Sequence, residues 1–496
     1  APDLPPRPDA SVAGCSSAVF SRDGRYIAVL EPAAGGARVY EAASGEWRVA
    51  LTIDRPTVSA LAFSPRNTFL VSWEKLVEGS DGNLLVWRLA DGQVACRLKQ
   101  KNFARDKWPS TPWTDDEALC AQLATGEVQF FDGGAGPGAS PPVARLKLPG
   151  ISKFKLAPGE GEAKRLATFV PEQKGGPAQV RVYEYPRLEA GAYVRSKSFY
   201  KAQQVDLHWA PSGSGLLVAT HTDEDRTGRS YYGETNLFYI PATQGGKGEG
   251  NVPRTKEGPI HDVAWSPVED VFIVVHGFMP AAVVLYSSDL KPLFSFGGEA
   301  ARNTIKWAPH GHLVALGGFG NLGGGLDFWD TERKLKLATV DAHMTVGCEW
   351  TPDSNFLLTS TLFPRLRVDN GFRLWAADGT VVHKRTAVEL EEATLAPAPR
   401  GAHPKPPPVQ PGPTAAAAGP GRGGAGAGGG AAAAAPQKYV PPSRRGQPGG
   451  GGGFDIHTYD PSRDRDGSGL SGARTGLPVG ADPDEGKKKG KKKGGG

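Results

Sequence analysis

The stretch Val263-Ala264-Trp265-Ser266-Pro267 contains the pattern from which the fold can be predicted. An apolar run ends in an aromatic residue, a Ser-Pro turn interrupts it, and a second apolar run follows. Serine and proline favour a reversal of the chain at this point. The two runs are therefore predicted to be neighbouring β-strands joined by a short turn.

This pattern recurs along most of the chain. Clear copies contain an aromatic residue followed by a Pro-bearing turn: Ala62-Phe63-Ser64-Pro65, Trp209-Ala210-Pro211-Ser212-Gly213, Trp307-Ala308-Pro309-His310-Gly311 and Trp350-Thr351-Pro352-Asp353. Weaker copies begin at Phe20, Trp113 and Leu156, and a degenerate ninth copy is Leu395-Ala396-Pro397. We call the first residue of each turn motif (the aromatic residue, Leu156 or Leu395) its anchor. Successive anchors are 42 to 56 residues apart.

A second β-run with an aromatic residue near its end follows each of the first eight anchors after some 20 to 30 residues. Examples are Val86-Trp87, Leu285-Tyr286 and Phe328-Trp329-Asp330. A Gly-bearing turn and a short outer strand come after most of them. About four strands per 40 to 45 residues is the period of a β-propeller blade. The repeats therefore predict an all-β, WD40-like propeller in which aromatic side chains pack between stacked blades.

The composition changes near residue 398, which divides the chain into three parts. We predict an N-terminal extension at 1–13, the propeller at 14–398 and a disordered tail at 399–496, which is rich in Pro, Gly and Ala and has three aromatic residues. The tail has 15 Lys and Arg against 7 Asp and Glu, whereas the preceding residues have 42 against 45. The basic excess therefore belongs to the tail, where a negatively charged partner would meet it.

Other signals argue against catalysis, cofactors and a membrane span. The sequence has no hydrolase, zinc-protease or Walker-type motif, and its four cysteines are dispersed as expected for reduced core thiols in the cytoplasm. Gly318-Phe319-Gly320-Asn321-Leu322-Gly323 fits a dinucleotide motif, but a strand follows it, so we predict a hairpin. His310-Gly311-His312 is interpreted as a turn because no third metal ligand lies nearby. The mean hydropathy of −0.35 indicates a soluble chain.

Three insertions and two tail segments are candidates for contact with RNA. Arginine and lysine can pair with phosphates, and aromatic rings can stack on exposed bases. The candidates are Lys101, Arg105 and Lys107 in the insertion 99–108; Arg226, Arg229, Tyr231 and Tyr232 in the insertion 226–233; Arg365 and Arg367 in the insertion 364–370; Lys438, Tyr439, Arg444 and Arg445 in the short motif 438–445; and Lys487, Lys488, Lys489, Lys491, Lys492 and Lys493. The alternative is that the three insertions are solvated loops that pack between blades and that the lysine run is a solvated tail.

Several segments resemble the eukaryotic translation initiation factor 2A family. They are Thr227-Gly228-Arg229-Ser230-Tyr231-Tyr232-Gly233-Glu234, Gly277-Phe278-Met279-Pro280-Ala281, Pro309-His310-Gly311-His312, Gly318-Phe319-Gly320-Asn321-Leu322, Pro364-Arg365-Leu366-Arg367-Val368-Asp369-Asn370-Gly371 and Tyr439-Val440-Pro441-Pro442. They occur in the order and at the approximate spacing of that family. The resemblance covers residues 14–398 and the motif in the tail.

The resemblance implies a single nine-bladed propeller that binds the small (40S) ribosomal subunit. It further implies GTP-independent recruitment of initiator tRNA, alternative or stress-time initiation, and contacts with mRNA and other initiation factors, in a cytoplasmic, monomeric protein. The stretch Glu389–Leu395 lacks the tryptophan that the family has at the ninth anchor, so an eight-bladed or incompletely closed ring is the alternative. The alternative function is a propeller scaffold, similar to a subunit of initiation factor 3 or to a general WD-repeat platform.

Overall fold

The computed structural model describes residues 14–43, 46–173, 175–200, 202–222, 235–363 and 365–413. Within these ranges the chain forms 31 β-strands and two short 3₁₀ turns, and no α-helix. The strands assemble into eight separate antiparallel sheets, which we number as blades 1 to 8. The prediction of an all-β propeller is confirmed.

The first four blades contain fifteen strands. Blade 1 has β1 (Ser17–Phe20), β2 (Tyr26–Glu31), β3 (Gly36–Ala43) and β4 (Glu46–Ile53); blade 2 has β5 (Val58–Phe63), β6 (Phe69–Glu74), β7 (Leu84–Arg88) and β8 (Val94–Leu98); blade 3 has β9 (Leu119–Ala124), β10 (Glu127–Asp132) and β11 (Ala144–Lys147); blade 4 has β12 (Lys153–Leu156), β13 (Arg165–Val170), β14 (Ala178–Glu184) and β15 (Arg195–Phe199). In blade 3 an isolated bridge between Trp113 and Cys120 takes the place of the first strand.

The last four blades contain sixteen strands. Blade 5 has β16 (Gln204–Trp209), β17 (Gly215–His221), β18 (Thr235–Pro241) and β19 (Gly250–Asn251); blade 6 has β20 (Ile260–Trp265), β21 (Val271–His276), β22 (Ala282–Ser287) and β23 (Pro292–Ser295); blade 7 has β24 (Thr304–Trp307), β25 (Leu313–Gly317), β26 (Gly325–Asp330) and β27 (Leu335–Asp341); blade 8 has β28 (Gly347–Trp350), β29 (Phe356–Thr361), β30 (Gly371–Ala376) and β31 (Val381–Thr386).

Seven of the predicted anchors are the last residue of the first strand of a blade, and Trp113 has the equivalent place in blade 3. The first strands of blades 1 and 2 contact each other, and so do those of successive blades from 5 to 8, so these strands form the inner wall of the ring. From blade 5 to blade 8 each anchor tryptophan donates its indole N–H to a carbonyl of the preceding inner strand. These hydrogen bonds are Trp209 to Lys155 (3.2 Å), Trp265 to His208 (2.9 Å), Trp307 to Ala264 (3.2 Å) and Trp350 to Lys306 (2.8 Å).

The hydrophobic core is divided among the spaces between blades. Seven clusters of buried side chains join blade 1 to 2, 2 to 3, and so on to blade 8. In the cluster between blades 7 and 8, Phe328 meets Trp350 edge to face with ring centroids 5.9 Å apart. Stacking therefore buries both faces of each interior blade, as the repeat pattern predicts.

The prediction of nine blades is wrong for the described residues, which form eight. The ninth anchor lies in residues 387–398, which form no strand. The backbone N–H of Leu395 donates to the Glu349 carboxylate on the inner strand of blade 8. A β-carbon on Gly24, in the turn of blade 1, would lie 2.0 Å from the Pro397 carbonyl oxygen. This segment therefore fills only part of the space between blades 8 and 1.

A cavity of about 680 Å³ remains beside this segment. It is lined by Ile27 of blade 1, by Phe372 and Leu374 of blade 8, and by residues 388–395. Among the described residues, no cluster of fully buried side chains joins blade 8 to blade 1. The alternative of eight blades with an incomplete closure describes this arrangement.

Residues 399–413 were assigned to the disordered tail but pack against blades 7 and 8. The His403 carbonyl lies 3.0 Å from His310 Nε2, and the Gly412 N–H donates to the Leu337 carbonyl at 2.9 Å. We call residues 404–413 the strap. Residues 414–496 lie outside the described residues, so the disorder assigned to them stays a prediction.

The cysteines are free thiols. Cys96 and Cys120 are buried, Cys348 is half-buried and Cys15 is exposed, so the prediction of four core thiols is wrong for Cys15. Burial raises the pKa of Cys96 to about 11 and that of Cys348 to about 12. These two thiols are therefore neutral, and poor nucleophiles, at physiological pH.

Candidate nucleic-acid interface

The topology places two of the three predicted insertions, 99–108 and 364–370, on one face of the ring. Neighbouring strands of a blade are antiparallel. In every four-stranded blade, the connection between the second and third strands therefore lies at the same end of the sheet as the link to the next blade. Insertion 99–108 links blades 2 and 3, and insertion 364–370 joins β29 to β30. We call this the loop face and the opposite side, which carries the anchor turns, the turn face. Insertion 226–233 lies outside the described residues.

Insertion 99–108 is held in place by hydrogen bonds. The buried Asn83 side chain accepts from the Gln100 N–H at 2.7 Å and donates to the Gln100 carbonyl at 2.8 Å. At the other end, the Trp108 indole N–H donates to the Leu61 carbonyl on the inner strand of blade 2 at 3.3 Å. These bonds fix the start and the end of the insertion against blade 2.

Two aromatic rings of this insertion and Trp73 of β6 pack in a row, with their planes tilted against one another. The Phe103 ring lies between Trp73 at 4.8 Å and Trp108 at 5.4 Å, measured between ring centroids. Phe103 is 37% exposed, so the middle ring of the three is open to solvent. Partly exposed aromatic rings on a fixed backbone are suitable for stacking with unpaired bases.

The same insertion contains four cations: Lys99, Lys101, Arg105 and Lys107. All four are exposed, and none forms an ion pair with a carboxylate in the described part of the chain. Asp106 is the single acidic residue of the insertion. Together with Trp73, Phe103 and Trp108, these cations form what we call the platform. Unpaired cations next to exposed rings provide the phosphate contacts and the base contacts that single-stranded RNA needs.

Arg365 and Arg367 are also exposed on the loop face, but on blade 8. Arg365 reaches the glycine loop 318–324 of blade 7, and a β-carbon on Gly320 would lie 3.4 Å from its guanidinium. Arg365, Gly320 and His343 line a cleft of about 230 Å³ between the two blades. The glycine loop connects β25 to β26 and no helix follows it, which confirms the predicted hairpin.

The predicted residues that the structure describes do not form one patch. The platform lies between blades 2 and 3, whereas Arg365 and Arg367 belong to blade 8, and blade 1 lies between these positions along the ring. Nor does the sequence reveal that Trp73 and Asn83 support the insertion. Trp73 lies in a strand 30 residues before Phe103, and no local pattern indicates that their rings meet.

The remaining candidates lie outside the described residues. They are Arg226, Arg229, Tyr231, Tyr232, Lys438, Tyr439, Arg444, Arg445, Lys487, Lys488, Lys489, Lys491, Lys492 and Lys493. Their contact with RNA stays a prediction.

The His310-Gly311-His312 segment forms the predicted turn. The Gly311 N–H donates to the Ala308 carbonyl at 2.8 Å, and the ring nitrogens of His310 contact Ser354 Oγ at 2.7 Å and the His403 carbonyl at 3.0 Å. Within the described ranges, no group of three or more His, Cys, Asp or Glu residues could hold a metal ion. The described part of the chain also has no apolar helix of membrane-spanning length.

Eight blades, seven of them four-stranded, with tryptophans at the ends of the inner strands of blades 5 to 8, define a WD-repeat β-propeller. A model of the WD domain, G-beta repeat, matches residues 50–88 in blades 1 and 2. The family model "Eukaryotic translation initiation factor eIF2A" matches residues 197–393.

Similarity to known proteins extends over most of the chain. Eukaryotic translation initiation factor 2A of Dictyostelium discoideum is 37% identical over 393 residues, which cover 79% of this chain and 62% of that protein. The same factor of Drosophila melanogaster is 38% identical over 378 residues, covering 74% and 58%. A solved structure described as a crystal structure of the eukaryotic initiation factor has a TM-score of 0.69 and 32% identity, over 79% of this chain and 93% of that one.

The chain belongs to the eukaryotic translation initiation factor 2A family. It spans about three fifths of the length of the two curated relatives. The resemblance identified from the sequence motifs is thereby confirmed at the level of the family.

Proposed function

We propose that this chain is a non-catalytic, cytoplasmic translation initiation factor that binds the small ribosomal subunit through its loop face. The observation that carries this proposal is the platform. In it an exposed aromatic ring lies between two tryptophans, on an insertion whose four exposed cations form no ion pair with the described residues. Membership in the initiation factor 2A family supports a role in translation, and the platform fits an RNA partner.

The proposal assigns different parts of RNA recognition to different residues. Phe103 stacks on an unpaired base, which contributes about 1–3 kcal/mol in comparable proteins. The four cations of the platform pair with phosphates. If all four engage a single strand, log K should fall with log salt concentration with a slope of about −3. Arg365 and Arg367 add phosphate contacts at blade 8.

We further propose that the chain has the specific activities that the resemblance to the family implies. They are GTP-independent recruitment of initiator tRNA, initiation at alternative sites or under stress, contacts with mRNA and other initiation factors, and action as a monomer. The basic tail, which contains the lysine run 487–493, would add a salt-sensitive attraction to rRNA.

The experiment compares charge reversals on the two faces. The test variant is Lys101→Glu/Lys107→Glu, and the control is Lys247→Glu/Lys291→Glu, which reverses two exposed lysines on the turn face. Binding is measured by co-sedimentation with purified 40S subunits and by fluorescence anisotropy with a labelled single-stranded poly(U) 12-mer. We expect at least a tenfold loss of affinity for the test variant and at most a twofold loss for the control.

Phe103 variants separate stacking from charge. Phe103→Ala should weaken binding of the 12-mer by about 5- to 150-fold, which corresponds to 1–3 kcal/mol, whereas Phe103→Trp should retain it. Equal losses for the two charge reversals, together with unchanged binding by Phe103→Ala, would contradict the proposed role of the platform. Absence of co-sedimentation with 40S subunits at low salt would contradict the proposed function as a whole.

A further inference from the structure

The strap, Pro404-Lys405-Pro406-Pro407-Pro408-Val409-Gln410-Pro411-Gly412-Pro413, has a strongly restricted backbone. Each of its six prolines fixes φ, and each disfavours a helical conformation for the residue before it. The chain is therefore restricted to an extended, polyproline II type of conformation with three residues per turn. Its hydrogen bonds go to the propeller, as expected for a helix type that makes none internally.

The pattern of burial in the strap has a period of three. Pro406, Val409 and Gly412 are half-buried, and the other seven residues are exposed. Val409 packs against the hydrophobic cluster between blades 7 and 8. Because three residues make one turn, these three positions form a single ridge that faces the propeller. The other two ridges of the strap face solvent.

Contacts with the turn face hold the strap at both ends and in the middle. The Lys405 ammonium lies 2.5 Å from Glu332, and the Arg333 guanidinium donates to the Val409 carbonyl. At Gly412 a β-carbon would lie 1.9 Å from the Asp378 carbonyl oxygen, so only glycine fits there. The propeller therefore holds the proline helix in one orientation before any partner binds.

The two solvent-facing ridges differ in chemistry. One contains Lys405, Pro408 and Pro411, so a cation precedes two prolines at regular intervals of three residues. The other begins with Pro404, Pro407 and Gln410 and contains no cation. Domains of the SH3 type bind such a helix by placing the prolines in a groove lined with aromatic residues. An acidic rim of the groove can then pair with a basic residue at the end of the ridge.

We propose that the ridge Lys405, Pro408 and Pro411 is a docking site for an SH3-type domain with an acidic rim. The propeller stabilises the helix in advance, so less conformational entropy is lost on binding than with a free peptide. The Lys405 side chain is available for exchange because its present ion pair with Glu332 is half-exposed on both sides, and exposed pairs contribute little. This docking site is independent of the platform, which lies on the opposite face.

The test uses the full chain and a panel of purified SH3 domains as probes, with affinity measured by biolayer interferometry. We expect at least one domain to bind, and Pro408→Ala/Pro411→Ala to weaken that binding at least tenfold. The matched control, Pro404→Ala/Pro407→Ala, removes two prolines from the other exposed ridge and should change affinity by less than twofold. Thermal melting verifies that both variants fold.

Three results would overturn the proposal. One is that no domain of the panel binds the chain at about 200 µM, and a second is that the two double variants lose affinity equally. The third is that a free peptide of residues 403–413 binds while the full chain does not, because the propeller would then cover the ridge. Stronger binding by the full chain than by the peptide supports the predicted effect of preorganisation.

Discussion

Replacement of Trp350 by phenylalanine should open blade 8 locally. Trp350 is 7% exposed and donates to the Lys306 carbonyl at 2.8 Å, which links the inner strands of blades 7 and 8. Phenylalanine keeps a ring next to Phe328 but removes three heavy atoms, one of which is the nitrogen that donates the hydrogen bond. The lost hydrogen bond costs about 0.5–1.5 kcal/mol and the lost apolar contact up to about 2 kcal/mol, so the expected loss is roughly 3 kcal/mol.

This loss should be concentrated in blade 8 because of the incomplete closure of the ring. In the described part of the chain, blade 8 shares a buried cluster with blade 7 alone, whereas blade 6 shares one with each neighbour. In a stacked array, a unit with one complete interface opens more easily than a unit with two. The matched control is Trp265→Phe, which removes the equivalent indole bond, to His208, from blade 6.

Native-state amide hydrogen exchange measures the predicted difference. In Trp350→Phe, exchange in β28 to β31 should accelerate by about 100-fold, since 1.4 kcal/mol corresponds to a factor of ten, and blades 2 to 4 should be unchanged. In Trp265→Phe, the acceleration in blade 6 should be at least tenfold smaller. Equal acceleration in the two variants, or a uniform change across all blades, would refute the view that blade 8 is held from one side.

Three further perturbations follow from single contacts. Gly24→Ala should destabilise the chain by about 2 kcal/mol or more in urea unfolding, because Gly24 has φ of +72° and a β-carbon would collide with the Pro397 carbonyl. Arg302→Ala should cost about 1.5–3 kcal/mol in the same assay, since it removes the guanidinium at 2.8 Å from the buried Asp327 carboxylate, which keeps Lys336 at 3.2 Å; a change below 1 kcal/mol would contradict the importance of this pair. Burial, with nearby Lys155, lowers the pKa of His208 to about 4, below its ordinary 6.5. As the pH falls, His208 therefore binds a proton in the unfolded chain at a higher pH than in the folded chain. The free energy of unfolding should fall by roughly 2 kcal/mol from pH 7.5 to pH 5, and His208→Gln should reduce this fall.

The regular part of the fold could be predicted because it depends on local chemistry that repeats. An apolar run, an aromatic residue and a Pro-bearing turn specify a strand end wherever they occur, so the anchors from Phe20 to Trp350 were located correctly. The ninth blade could not be predicted in this way. The turn chemistry is kept in Leu395-Ala396-Pro397, but the residues around it form no sheet. A turn motif alone does not show whether the neighbouring residues form strands.

The sequence predicts only that part of the candidate site that depends on local chemistry. The cations of insertion 99–108 are visible in the sequence, and their exposure agrees with the interpretation as a surface loop. The packing of the three aromatic rings could not be predicted, because it depends on contacts between distant positions in the chain. Trp73 comes from a strand of blade 2, and Phe103 comes from the link to blade 3. Composition places the strap in the tail, because proline content predicts an extended chain but does not show whether a surface exists to hold it.

A cryo-EM map of the chain bound to the small ribosomal subunit would test the central claim most directly. The account predicts that the loop face meets the subunit, with the Phe103 ring stacked on an rRNA base and Lys101, Arg105 and Lys107 within reach of phosphates. A map in which the turn face meets the ribosome and the platform remains in solvent would contradict it.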